Sequence, residues 1–292
     1  MTAIFQWNME DMTQNNRLKN LLVALSGDDE MPGPVLDYGL GLARAYQSRV
    51  TVCVFAPVLL QPFPLTLGSS SIWIAQETDR IETRSGQIAQ VVQQRARELG
   101  VPIDVEHAHS PFDGRYSRFI ALARLHDLTV LQAPDPSDSS RARTAIEHAL
   151  FDSGRPVLIT PDDKFETPRR VMIAWDGSAE AARAVRDGLD LFLGADHVAI
   201  ATVIDTKGSE GLRSADELVT YLSRYGIGSE ISVIAAVPGE DEGFPIRQFV
   251  TDQQVDLLVM GAFVHSRLRQ AILGGMTRSL LENCPVPILM SH

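Results

Sequence analysis

Two places in the chain hold residues able to grip a small ligand. The first is Trp175-Asp176-Gly177-Ser178, at the end of the apolar run Val171 to Trp175. A carboxylate there can accept hydrogen bonds from a ribose or an adenine. It can equally cap the turn that follows, and taken alone that second reading is the stronger. The other place is GAFVHSRLRQAILGGMT, from Gly261 to Thr277. Gly261 closes an apolar run, where a missing side chain lets backbone come close to a ligand. Gly274 and Gly275 stand before a helical segment. Unpaired N–H groups and the positive end of the dipole at a helix start suit a phosphate. Thr277 could add a hydroxyl. A Gly-Gly pair can also do no more than make a tight turn.

Strand ends and helix starts must position these residues, and the chain supplies both in alternation. Strand-length apolar runs occur at Leu21 to Leu25, Val50 to Phe55, Ile103 to Glu106, Leu128 to Leu131 and Val157 to Ile159. They recur at Val171 to Trp175, Val198 to Ile204, Ile231 to Val237, Leu257 to Met260 and Ile288 to Met290. Most are continuous rather than alternating, as expected of parallel strands covered on both faces by helices. Helices fill the gaps. Pro34 opens one, Ser178 can cap another with Glu180 in its first turn, Asp79 to Leu99 has helical spacing, and Pro245 starts a short one. The expected fold class is α/β, in two tandem doubly wound five-stranded parallel-sheet domains.

The halves align with each other. NLLVALSGDD at Asn20 matches RVMIAWDGSA at Arg170, DLTVLQA at Asp127 matches DLLVMGA at Asp256, and AIEHALFDSGRPVLIT at Ala145 matches MTRSLLENCPVPILMS at Met276. Whole-domain duplication is implied, with domains over residues 1–161 and 168–292 and the polar stretch Thr160 to Pro168 as linker. Val58 to Ala75 stands outside the repeat. It is long and apolar for a connection, and reads as a packed flap or as a lid over a ligand.

Composition narrows the partners. With 45% hydrophobic and 22% charged residues, the chain is a globular protein rather than a disordered one. A net charge of -11 argues against nucleic acid or an anionic membrane surface as partner. No apolar run reaches membrane-spanning length, the first twenty residues lack the apolar core of a signal peptide, and Cys53 and Cys284 are far apart. The expected location is a reducing cytoplasm.

The second half resembles the universal stress proteins. Members that hold ATP carry an aspartate after the first strand and a G-2x-G-9x-G-(S/T) loop after the fourth. Asp176 matches the aspartate, Gly261 the first glycine and Gly274 the third, whereas Val264 and Gly275 stand where Gly and Ser or Thr are expected. The ending Gly274 to Thr277 looks like a bacterial variant. The resemblance implies ATP or AMP as ligand, with no metal beyond nucleotide-bound Mg. It implies a site made of Ala174, Trp175, Asp176, Val203, Gly261, Val264, His265, Gly274, Gly275, Met276 and Thr277. It also implies that the two halves pair through their fifth strands and that the chain forms a homo-oligomer. Val264 places a side chain where the family brings backbone close to the nucleotide. In the first half Ser26 replaces the aspartate, Gln132 replaces the strand-end glycine, and Ser137 to Thr144 has no glycine, so a lost or altered site is expected there.

Other constellations are weaker. His107 and His109 share a strand face, but a metal needs further ligands. Gly39-Leu40-Gly41 lies inside a helical pattern, and no local signature of a Ser-His-Asp triad is present. Three functions remain open: a nucleotide-binding regulator, a scaffold of the same fold without nucleotide, and a slow ATP hydrolase, for which no base beyond Asp176 stands out.

Overall fold

The structure is a computed structural model and describes residues 17–26, 32–55, 69–108, 116–134, 139–161, 164–204, 210–237, 239–262 and 274–292. The first half runs β1 (Asn20–Ser26), α1 (Pro34–Tyr46), β2 (Arg49–Phe55), α2 (Ser69–Leu99), β3 (Ile103–Ala108), α3 (Ser117–Leu125), β4 (Leu128–Gln132), α4 (Ser139–Asp152) and β5 (Val157–Thr160). The second runs β6 (Arg170–Ala174), α5 (Ala179–Phe192), β7 (His197–Ile204), α6 (Glu210–Ser223), β8 (Glu230–Ala235), α7 (Phe244–Asp252), β9 (Leu257–Gly261), α8 (Gly275–Glu282) and β10 (Ile288–Ser291). All ten expected strands are present, with ends shifted by one or two residues.

Strand order is β3-β2-β1-β4-β5-β10-β9-β6-β7-β8. Each half is thus a parallel five-stranded sheet of the same order, and the two meet at β5 and β10. These last strands run antiparallel, with Leu158 opposite Leu289 and Ile159 opposite Ile288. The halves therefore do not form separate sheets. They share one ten-stranded sheet, because each fifth strand has a free edge that the other can satisfy.

The apolar cores divide by face rather than by half. One face carries α1, α2, α5 and α6, and its core runs from Leu21 and Val23 through Leu158 and Leu289 to Val171 and Ile173. The opposite face carries α3, α4, α7 and α8 over Leu22, Ile159, Ile288 and Met172. Successive strand residues point to opposite faces, so the continuous apolar runs feed both cores. The terminal strands β3 and β8 are only partly covered.

Duplication extends to a detail of the backbone. The Asp127 carboxylate accepts from Lys19 N at 2.9 Å and Asn20 N at 2.8 Å, and Asp256 accepts from Arg169 N and Arg170 N at 2.9 and 2.8 Å. One aspartate before each fourth strand thus fastens the start of each first strand.

One sequence reading is corrected. Helix α2 starts at Ser69, not near Asp79, so the end of the Val58 to Ala75 segment is helical. No glycine or proline follows Gly68 until Gly86, and nothing breaks the helix in between. Residues 56–68, where the remaining flap or lid would lie, are outside the described residues. The linker packs on the first half. Phe165 packs edge-on against Tyr38, with ring centres 5.3 Å apart, and against Gly41, where a Cβ would sit 2.8 Å from it. That contact explains a glycine inside α1.

Candidate functional site

In the second half the strand order reverses between β6 and β9. An open parallel sheet leaves a crevice there, beyond the carboxyl ends of those two strands. Ala174 pairs with Met260, so Trp175, Asp176 and Gly261 come next at the rim. Asp176 is exposed, and its Oδ1 accepts from Ser178 N at 2.9 Å. The turn-capping role is therefore real, yet a carboxylate with one such bond keeps further acceptor capacity. Gly177 takes a left-handed φ of 80°, which lets the chain turn sharply from β6 into α5. Ser178 then caps α5, its Oγ accepting from Ala181 N at 3.1 Å.

Trp175 points inward and is 9% exposed. Its Nε1 donates to Ser214 Oγ at 2.9 Å, while its carbonyl accepts from Thr202 Oγ1 at 3.0 Å. These bonds hold the residue before Asp176 against α6 and β7. Val203 and Ala174 are half-buried on the opposite face.

Gly261 has a packing reason for being glycine. A Cβ there would lie 2.5 Å from Ala181 N and 2.8 Å from the carbonyl carbon of Glu180. The start of α5 thus rests directly on the end of β9. Helix α8 begins with Gly274 as N-cap, without a side-chain cap and without an acidic residue in its first turn. Gly274 is buried, Gly275 exposed, Met276 half-buried and Thr277 1% exposed. The Thr277 hydroxyl is consequently inside rather than presented to solvent. Val264 and His265 lie outside the described residues.

Sequence reasoning missed a polar network beside α8. The Asp241 carboxylate accepts from Arg247 Nη2 at 2.6 Å, from Gly243 N at 3.0 Å and from the Ser279 hydroxyl. The Arg247 guanidinium, then Ser279, hold its carboxyl far below the usual carboxylate range. Next to it, the Glu242 carboxylate lies over Gly275, with Oε2 2.6 Å from where a Cβ would stand. Only the acidic run Glu240-Asp241-Glu242 hinted at this in the sequence, and such runs are usually solvated.

Gln132 ends β4 where β9 has Gly261. Its Oε1 accepts from Val35 N at 3.2 Å and its Nε2 donates to Thr160 O at 3.3 Å. Helix α1 has Gly33 as N-cap and no cap from its own side chains, so Gln132 supplies one from across the sheet.

Residues 167–292 match the universal stress protein family. The match covers the second half of the chain. A universal stress protein of Synechocystis sp. is 29% identical over 149 residues, a stretch that spans 49% of this chain and 49% of that relative. About half the relative's length is therefore matched. Among solved structures, a universal stress protein of Archaeoglobus fulgidus superposes with a TM-score of 0.67 at 18% identity, covering 94% of this chain and 98% of that one. A putative universal stress protein of Pseudomonas aeruginosa gives 0.59 at 17% identity, covering 94% and 92%. At such identities the likeness shows the fold, and it extends the universal stress protein fold over the first half as well. Among the described residues no helix is long and apolar enough to cross a membrane, and no group of three His, Cys, Asp or Glu side chains could hold a metal ion.

Proposed function

We propose that the chain is a nucleotide-binding regulator in the response to stress, holding one adenine nucleotide, ATP or AMP, in its second half. The observation that carries this reading is the exposed Asp176 carboxylate at the rim between β6 and β9, near Gly261. In the first half the same position is occupied by Gln132. The match of the second half to the universal stress protein family supports a role in stress. The reading includes a cytoplasmic chain that assembles with further copies of itself.

Calorimetric titration with ATP and AMP tests it. One site per chain is expected. Asp176→Ala should weaken binding by about tenfold or more, the usual worth of a hydrogen bond to a charged group, while Ser26→Ala should leave binding unchanged. Two equal sites, or no binding at millimolar nucleotide, would defeat the reading. A scaffold without nucleotide is the second reading, and Glu242 over the start of α8 favours it.

A further inference from the structure

We propose that the open edge of β8 is a self-docking surface, on which β8 of a second copy of this chain pairs antiparallel and continues the sheet across a two-fold axis. The proposal supplies a surface for the self-assembly included in the reading above and does not depend on nucleotide. β8 has β7 on one side, and no strand among the described residues lies beyond it. Its register sets Val233 beside Thr202 and Ile234 beside Val203, and Ala236 N donates to Ile204 O just past the strand end. Backbone groups of successive strand residues alternate between the two sides. Ser232 and Ile234 therefore bond to β7, and Ile231, Val233 and Ala235 aim their N–H and C=O groups at the open side.

The two ends of the sheet are guarded differently. Edge strands commonly carry charges, proline or bulges that discourage pairing with another chain. β3, the counterpart of β8 in the first half, holds Asp104 and Glu106, tied to Arg49 at 2.7 Å and to Arg118 at 2.8 Å. In β8, Glu230 meets His197 at 3.2 Å. From there the chain runs Ile-Ser-Val-Ile-Ala-Ala-Val to Val237 without a charge, a glycine or a proline. Among the described residues the exposed large apolar side chains are Leu125, Val233 and Val237, and two of these three lie on this one edge.

Symmetry and charge identify the occupant. An antiparallel copy centred on Val233 sets Val233 opposite itself and Ile231 opposite Ala235, so the outward backbone groups answer one another and each exposed valine covers the other. Arg224 is exposed before the strand, and Glu240 and Glu242 are exposed after it. Antiparallel pairing brings the basic entry of one copy to the acidic exit of the other, twice, while the two Glu230 side chains stand at opposite ends. Pairing β8 with β3 of another copy would instead be head-to-tail and open-ended, and would meet the charges on β3.

Sedimentation equilibrium of the full chain over a concentration series tests this, beside Val233→Lys, Val233→Pro and Leu125→Lys, with thermal melts to check that each variant folds. The parent should reach twice the mass of one chain. Lysine at 233 removes the apolar contact and sets like charges face to face, and both copies change at once. The dimer Kd should rise by about tenfold or more. Proline removes an outward N–H without taking a bond from β7, and should weaken the dimer similarly. Leu125→Lys changes an exposed apolar residue at the end of α3, away from this edge, and should leave Kd unchanged. A dimer as tight in both Val233 variants as in the parent would overturn the proposal while leaving self-assembly intact. Equal weakening by Leu125→Lys would overturn it too, since no particular edge would then be responsible. A parent that stays a single chain at every concentration would defeat both the proposal and the self-assembly in the reading above, whereas nucleotide binding stands or falls on its own titration.

Discussion

One chemical change, glycine to alanine, should have opposite signs at two places in this chain. At Gly261 the added methyl would sit 2.5 Å from Ala181 N, 2.8 Å from the Glu180 carbonyl carbon and 2.9 Å from Glu180 Cβ. Two of these are backbone atoms that cannot rotate aside. Restoring ordinary contact near 3.5 Å requires the start of α5 to shift by about 1 Å. That start is pinned by the Ser178 cap, the Asp176 turn and the burial of Ala181 and Ala184. The cost belongs at the top of the overpacking range, about 3 kcal/mol. For a chain of 292 residues that lowers Tm by about 5 °C. At Gly86, inside α2 and exposed, nothing lies within 4 Å of an added Cβ. Alanine there should stabilise by about 0.5–1 kcal/mol through the reduced entropy of the unfolded chain. Calorimetric melts of the two variants beside the parent measure both. If Gly261→Ala melts with the parent, the close seat of α5 on β9 is wrong and the glycine must be explained by a ligand.

Gln132→Ala should cost about 1 kcal/mol, because α1 loses its borrowed cap, and Ser178→Ala a similar amount at α5; urea unfolding measures both, and a neutral Gln132 variant would refute the capping role. Burial raises the carboxyl of Asp190 above its ordinary value, so the folded state holds that proton more tightly than the unfolded chain. Ionised Asp190 therefore costs stability at neutral pH, and the cost disappears as pH falls through the raised value toward the ordinary one near 3.9. Asp190→Asn, which keeps an acceptor for Arg17 N–H, should be more stable than the parent at pH 7 and lose that advantage at pH 4; denaturant melts at the two pH values decide. Burial pushes the thiols of Cys53 and Cys284 up to about 12, so neither should alkylate in the folded protein at pH 8, whereas both should after unfolding. Rapid labelling of native Cys53 would contradict its place in β2.

Most of the fold was legible because its strands are short unbroken runs of Val, Ile and Leu, a signal that does not depend on tertiary partners. Even the edge strands β3 and β8, with weaker burial, kept enough of that pattern to be found. The start of α2 was not legible. SSSIWIA has the apolar weight of a packed loop, and helical spacing becomes clear only downstream. At the site, Asp176 and Gly261 could be found from their positions after strands, but the reason for Gly261 could not. Close approach was foreseen, yet the approaching backbone belongs to α5. Gln132 acts at a helix start remote in sequence, and a side chain that caps across the fold leaves no local spacing to read.

The antiparallel seam between β5 and β10 has a consequence for how the protein responds to its own abundance. Two separate chains joined by such a seam would come apart on dilution, and their stability would track how much of them the cell made. Here both partners are one polypeptide, and Arg143 to Glu282 at 3.0 Å and Phe151 against His292 add covalently guaranteed neighbours to the seam. The local concentration of one half around the other is set by the tether and stays constant. Pairing is also one to one by construction. A substitution in one half is not copied into its partner, as it would be in a pair of identical chains. That freedom is what allows a glutamine to stand at one strand end and a glycine at the other within a single pseudo-symmetric body.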